Sequence, residues 1–258
     1  MKTYTLITGA SSGLGYQFAL LARAENRDLL LISNDEQRLK RAKDDISKTT
    51  KSSADILILS ADLTKLKSFG KIESFIQKNN IIVDTLINNA GFGDYGPLAS
   101  ADSRRQLEMI NLNIAILTGL TRLVLPGMIA RKRGNILNMS SMAAFYPGPY
   151  MSVYYASKHF VLAFSEAIRE ELRDSSVNVT VFCPGPTNTG FATNAHATKN
   201  SLFAKRLPTA ERVAFIGWRG MKNGKAIVLV GKRDRLSVFI ARFLPRSLIR
   251  SIVGKTQR

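Results

Sequence analysis

Apolar runs alternate with stretches of helical period along most of the chain. The runs at 2–8, 28–33, 54–60, 81–87, 134–140, 177–183 and 226–230 are short and rich in Leu, Ile and Val, which predicts strands buried on both faces. Between them Phe18, Leu21 and Ala22 recur at helical spacing, as do Leu107, Ile110, Ile114 and Leu117. Ala156, Phe160, Ala163 and Ala167 form a third stripe. Such stripes predict helix faces that serve the core or contacts between helices. Strand and helix in alternation predict an α/β fold, a doubly wound parallel sheet with helices on both faces. The chain has 258 residues and no Pro/Gly/Ser-rich linker or internal repeat, so a single domain is expected. Residues 1–231 form its body, and 232–258 read as a basic amphipathic C-terminal extension of the same domain.

The first strand runs into Gly9-Ala10-Ser11-Ser12-Gly13-Leu14-Gly15, and a helical stretch follows. Glycines there permit tight turning and close backbone approach, and the N–H groups and positive dipole end of a helix start suit a pyrophosphate. The spacing is G-x-x-x-G-x-G, and a plain structural turn is the competing reading. Asn88-Asn89-Ala90-Gly91 and Asp62 close two further strand runs. Ligands of open α/β sheets bind outside the carboxyl ends of strands, and Asp62 there could accept a bond from an adenine amine.

Chemistry enters with Tyr154 and Lys158 in Tyr-Tyr-Ala-Ser-Lys, thirteen residues or more after Ser141. Positions i and i+4 share a helix face, so phenol and ammonium can point into one cleft. A phenol with a pKa near ~10 holds its proton firmly, and a neighbouring ammonium favours the phenolate. The pair therefore reads as a proton donor and acceptor for a carbonyl or alcohol. Tyr155 and His159 have the same spacing, about 100° further round the helix, and periodicity does not choose between the pairs.

Taken in order, these motifs resemble the short-chain dehydrogenase/reductase superfamily over roughly residues 1 to 230. The resemblance implies a Rossmann-type fold and NAD(P)(H)-dependent interconversion of a carbonyl and an alcohol. Thr8-Gly9-x-x-x-Gly13-x-Gly15 looks like the family's cofactor motif and Asn88-Asn89-Ala90-Gly91 like its central-strand motif. Ser141, Tyr154 and Lys158 look like its catalytic residues, with Pro184-Gly185 beside the nicotinamide. Family spacing picks Asn113 over Asn111 as the fourth catalytic member, leaving Asn111 on the helix surface, and likewise Ser141 over Ser140 and Tyr154 over Tyr155. The implied cofactor contacts are Thr8, Gly9, Ser11, Ser12, Gly13, Leu14, Gly15, Ser33, Asn34, Asp62, Leu63, Asn89, Ala90, Gly91, Tyr154, Lys158, Pro184, Gly185, Thr187 and Thr189. The expected cofactor is NADP, with NAD as the alternative. An acid closing the second strand would repel a 2′-phosphate, and that position is Ser33. Asn34 replaces the Arg frequent in NADP-using relatives, while Asp35, Arg38 and Arg41 follow. Helices of this family commonly pair between subunits, which implies a homo-oligomer.

Composition changes the picture in two places. The only cysteine, Cys183, excludes an internal disulfide, and His159 and His196 lack a partner set for a metal. Lys+Arg 37 against Asp+Glu 19 gives a net charge of +18, which favours anionic partners. A nucleotide-sensing or nucleic-acid-binding protein on the same fold is the rival reading. It has no use for a filled catalytic set and lacks a recognition motif, so nucleic acid is unlikely. The glycine turn lies too near Met1 for a signal peptide, and no apolar run reaches a span of ~18 residues, so a cytoplasmic protein is expected. The region 191–207 mixes Phe191, Leu202 and Phe203 with Lys199, Lys205 and Arg206 and is expected to cover the substrate. In 232–258, Leu236, Phe239, Ile240, Phe243 and Leu244, then Leu248, Ile249, Ile252 and Val253 beyond Pro245, alternate with eight basic residues. That pattern predicts either docking on an acidic membrane surface or packing on the body or a partner subunit.

Overall fold

The computed structural model describes residues 2–197 and 207–257. Its strands are β1 (Thr3–Thr8), β2 (Asp28–Ser33), β3 (Ile56–Ser60), β4 (Ile82–Asn88), β5 (Gly134–Met139), β6 (Val177–Cys183) and β7 (Ile227–Leu229). They form one parallel sheet in the order β3-β2-β1-β4-β5-β6-β7. The order reverses between β1 and β4, which opens a crevice at their carboxyl ends. The helices are α1 (Gly13–Ala24), α2 (Glu36–Thr49), α3 (Lys67–Lys78), α4 (Ser103–Ile110), α5 (Leu117–Ala130), α6 (Ser152–Glu171), α7 (Phe191–Asn194), α8 (Ala210–Lys222), α9 (Lys232–Ala241) and α10 (Arg246–Gln257).

The unbroken apolar runs follow from burial on both sides. Leu29 and Leu31 join a core with Phe18, Leu39, Val213 and Trp218 of α1, α2 and α8. Leu30 and Ile32 point the other way, into a core with Ile72, Leu120, Val124 and Ile168 of α3, α5 and α6. All four strand residues are fully buried. The third strand starts two residues later than its apolar run suggests, and the buried Arg23 guanidinium donates to the carbonyls of Ser52 and Ala54 just before it. The stripe Leu107, Ile110, Ile114 and Leu117 runs through one long helix, as its spacing predicts, but α4 and α5 join through a π-helical turn, Asn111–Ile116, that the spacing does not predict. By length and composition the resulting helix Ser103–Ala130 could cross a membrane, contrary to the expectation of no such segment. One face of it is committed within the fold, since Met109, Asn113, Ile116, Leu120, Val124 and Met128 are buried. Helical period and Pro245 place the break between α9 and α10 where it occurs.

Candidate active site

The glycine turn is built by reciprocal ties across the β1/β4 crevice. Thr8 Oγ1 accepts hydrogen bonds from the backbone N–H groups of Asn89 and Ala90, each at 3.0 Å. Asn89 Nδ2 donates to the carbonyls of Thr8 and Gly9 at 2.9 and 3.2 Å. Gly9 and Gly13 adopt φ of +66° and +57°, where side chains other than glycine are strained. A Cβ on Gly15 would lie 2.2 Å from the Gly9 carbonyl oxygen. Thr8 and Gly15 therefore shape the turn from behind and do not line the cleft, whereas Gly9, Ser11, Ser12, Gly13 and Leu14 do. Ser12 makes no side-chain cap on α1 and the first turn holds no acid, so its N-terminal end is free of negative charge. A bound dinucleotide phosphate fits that cradle.

Beside it, Ser11 Oγ and Ser33 Oγ lie 2.8 Å apart. Ser33, Asn34, Asp35, Arg38, Asp62 and Leu63 continue the cleft wall. Asp35 faces α2 as its N-cap, accepting from Arg38 N at 2.9 Å and pairing with Arg38 Nε at 3.4 Å. Asp62 Oδ1 accepts from Thr64 N and Thr64 Oγ1 at 3.0 and 2.8 Å. Asn111, expected on the helix surface, is half-buried and donates to the Thr64 carbonyl at 3.1 Å, bracing that turn.

Tyr154 and Lys158 project from the first turns of α6, and Ser141 follows β5. Ser141 Oγ accepts from Ala143 N at 3.1 Å and donates to the Pro184 carbonyl at 3.4 Å, and both Ser141 and Tyr154 stand in the cleft wall. Lys158 Nζ donates to the Met139 carbonyl at 2.9 Å and lies 5.7 Å from the Tyr154 ring centroid. Asn113 sits in the π turn, 1 % exposed, with Nδ2 donating to the Phe92 carbonyl and to Ser157 Oγ, both at 3.0 Å. A Cβ on Gly91 would be 3.0 Å from Asn113 Oδ1 and 3.4 Å from Lys158 Nζ, so the glycine leaves these groups room to converge. Asn113 supports this group from behind the cleft wall, while Ser141, Tyr154 and Lys158 line it. The competing pair is engaged elsewhere: the Tyr155 hydroxyl accepts from Gln257 Nε2 at 2.5 Å, and His159 Nδ1 lies 2.9 Å from the Tyr155 carbonyl oxygen.

Burial dominates the electrostatics. It raises the Tyr154 phenol above its ordinary value, with the Ser141 hydrogen bond acting the other way. It lowers the Lys158 ammonium from 10.5 to about 8. The sequence argument expected the ammonium to lower the phenol. Desolvation dominates at both groups, and the tyrosine stays protonated at neutral pH. Burial also pushes the Cys183 thiol up to about 12, which keeps it an inert strand-end side chain.

The cleft measures about 810 Å³ and continues past Asn89, Ala90, Gly91, Pro184, Gly185, Thr187 and Thr189 to an apolar end. That end holds Phe92, Met142, Tyr146, Met151, Tyr155 and Phe191, together with Val253, Thr256 and Gln257 of α10. Phe191 packs on the Tyr154 ring at 5.3 Å between centroids, where the sequence placed the covering segment. Lys199, Leu202, Phe203, Lys205 and Arg206 of that segment lie outside the described residues. Sequence reasoning missed the contribution of α10, whose only signal is Ile249, Val253 and Gln257 at i, i+4 and i+8. It also missed Arg105, which lies 4.9 Å from the Phe92 ring and pairs with Asp94 at 2.8 Å.

Residues 3–200 match the family model for short chain dehydrogenases. The chain is 30% identical over 245 residues to a dehydrogenase/reductase SDR family protein 7-like protein of Anopheles gambiae, covering 94% of this chain and 76% of that one. It is 34% identical over 181 residues to a very-long-chain 3-oxoacyl-CoA reductase of Phaeosphaeria nodorum, covering 69% of this chain and 52% of that one. The chain thus spans about half the length of the fungal relative. Among solved structures, a short-chain dehydrogenase from Sphingobium yanoikuyae in complex with NADPH superposes with a TM-score of 0.83 at 26% identity, covering 93% of each chain. The shared fold and a family match over most of its length agree: this chain belongs to the short-chain dehydrogenase family of NAD(P)-dependent oxidoreductases.

Proposed function

We propose that the protein reduces a carbonyl compound, or oxidises the matching alcohol, with Tyr154 as acid and base. The observation that carries this reading is the convergence of Ser141, Tyr154 and Lys158 on one cleft, with Asn113 behind Lys158. In reduction the Tyr154 hydroxyl donates its proton to the substrate oxygen, and Ser141 Oγ–H donates a hydrogen bond to the same atom. Lys158, charged for the most part at pH 7, stabilises the phenolate left behind. Asn113 holds the helix turn beside Lys158 through Phe92 and Ser157. The nicotinamide supplies the hydride when bound, and the protein supplies position and electrostatics. Burial keeps Tyr154 in the acid form that reduction consumes.

NADP(H) is the preferred cofactor in this reading. Ser33 presents no negative charge at the end of β2, Asp35 is turned to the α2 N-terminus, and Arg38 lines the cleft beside Ser11 and Asn34. A homo-oligomer is also part of it, because Leu107, Ile110 and Phe160 are exposed large apolar residues on α4 and α6. The apolar end of the cleft suits an apolar carbonyl substrate.

The test is NADPH oxidation against a panel of ketones and aldehydes. Tyr154→Phe should lose ~10²–10⁴-fold in kcat while nucleotide affinity is kept, because the ring still packs and only the proton donor is gone. Tyr155→Phe should keep most of its turnover. An active Tyr154→Phe beside an inactive Tyr155→Phe would refute the assignment.

A further inference from the structure

The α9–α10 segment carries two features on opposite sides that the reductase reading does not use together. Its inner side is held to the substrate end of the cleft by tyrosines. Tyr146 OH donates to Ser237 Oγ at 2.9 Å, Tyr95 OH donates to the Gln257 carbonyl at 2.5 Å, and Gln257 Nε2 donates to Tyr155 OH at 2.5 Å. Gln257 is fully buried, and Gln257, Val253 and Thr256 stand in the cleft wall. Val238 and Ile249 are the buried aliphatic residues of the segment, and Val253 packs half-buried against the apolar cluster at the cleft end.

The outer side is the larger apolar one. Leu236, Phe239, Ile240 and Phe243 of α9 are 58%, 57%, 46% and 73% exposed, and Leu248 and Ile252 of α10 are 46% and 48% exposed. Around them Lys232, Arg233, Arg235, Arg242, Arg246, Arg250 and Lys255 are all exposed. The one acid, Asp234, is occupied in capping Gly231 N at 3.1 Å. Between α9, α8 and β7 lies a groove of about 560 Å³ that continues the same chemistry. Arg219, Lys225, Arg235 and Arg242 line it beside Phe215 and Val238, and no acidic residue does among the described ones. An apolar surface ringed by one sign of charge repels a second copy of itself and complements an anionic lipid bilayer, whose headgroups meet the cations and whose acyl region takes the phenylalanines.

We propose that α9–α10 is a lipid-docking flap: its outer face binds an anionic bilayer, and docking loosens the Val253–Gln257 wall so that an apolar substrate enters the cleft from the lipid. The entry of substrate rests on the reductase reading; the docking and loosening do not. The segment lies outside the sheet and meets the body at the cleft through Tyr95, Tyr146 and Tyr155, so a surface that binds this segment more tightly when it stands away from the cleft shifts it outward.

The experiment uses the full chain with phosphatidylcholine vesicles, with and without phosphatidylglycerol. Co-sedimentation should require phosphatidylglycerol and weaken as salt is raised. Phe239→Ser/Phe243→Ser should weaken it about tenfold or more, since two aromatic side chains no longer enter the bilayer. That variant should keep its NADPH oxidation with a water-soluble ketone in the absence of vesicles. Arg246→Glu/Arg250→Glu, which leaves the apolar packing untouched, gives the same loss of binding if the aromatic variant misfolds. Amide hydrogen exchange should speed up at 253–257 on anionic vesicles and stay unchanged on neutral ones. Equal sedimentation with both vesicles overturns the proposal, and so does docking that leaves exchange at 253–257 unchanged or slower. Neither readout needs turnover, so inactivity towards every carbonyl would strike the reductase reading alone.

Discussion

Lys158→Met isolates what it costs the fold to keep an ammonium in the site. The Lys158 side chain is buried, with the residue 4% exposed, and burial lowers its pKa from 10.5 to about 8. A fall of about 2.5 corresponds to about 3 kcal/mol of destabilisation of the charged form. The sign follows from linkage. Between pH 8 and 10.5 the unfolded chain binds more protons at this position than the folded one, so the wild type gains stability as pH rises through that window. Below pH 8 the full penalty applies, and above 10.5 it is gone. Methionine matches the side chain's length without its charge but leaves the Met139 carbonyl without its 2.9 Å donor, a loss of about 1 kcal/mol. The variant should therefore be more stable than wild type by about 2 kcal/mol at pH 7, and the difference should vanish or reverse by pH 10.5. Urea melts of both proteins at several pH values measure it, and taking the difference cancels the other titrating groups. A difference that stays constant from pH 7 to 10.5 would refute the reasoning. Turnover should be lost in the variant, as expected where a charge is held in a site for function at the expense of stability.

Arg38→Ala should lower kcat/KM for NADPH about tenfold by removing a cation at the ribose end of the cleft, and change NADH use far less. A tenfold preference of the wild type for NADH would contradict the NADP(H) reading. Gly15→Ala should destabilise the protein by about 3 kcal/mol or abolish folding, because its Cβ would meet the Gly9 carbonyl, which is backbone and cannot swing aside. A thermal melt within a degree or two of wild type would show that the turn relaxes freely. Phe160→Asp should shift the protein to a smaller species in light scattering with little loss of monomer stability, since Phe160 is 38% exposed. An unchanged mass would remove α6 from any subunit contact.

Much of this molecule is legible in local pattern. Leu29–Ile32 must bury both faces of a strand, because four consecutive large aliphatics have no polar side to offer water. The glycine turn is legible for the same kind of reason: Gly15 tolerates no Cβ, and a positive φ at Gly9 and Gly13 favours glycine. Local pattern stops short where a decision depends on a group far along the chain. Tyr154 and Tyr155 differ by one helix position and carry equivalent partners at i+4. The packed fold separates them by setting Tyr154 in the cleft wall with Ser141 and Lys158 and engaging the Tyr155 hydroxyl with Gln257. The π turn that carries Asn113 leaves no mark in hydrophobic period, because one extra residue per turn only shifts the stripe. Basic and apolar residues in α9 and α10 were visible as composition, but which of them point outward and which close the cleft follows from contacts with Tyr95, Tyr146 and Tyr155. Those contacts span about a hundred residues or more, where periodicity has no reach and only the closed sheet brings the partners together.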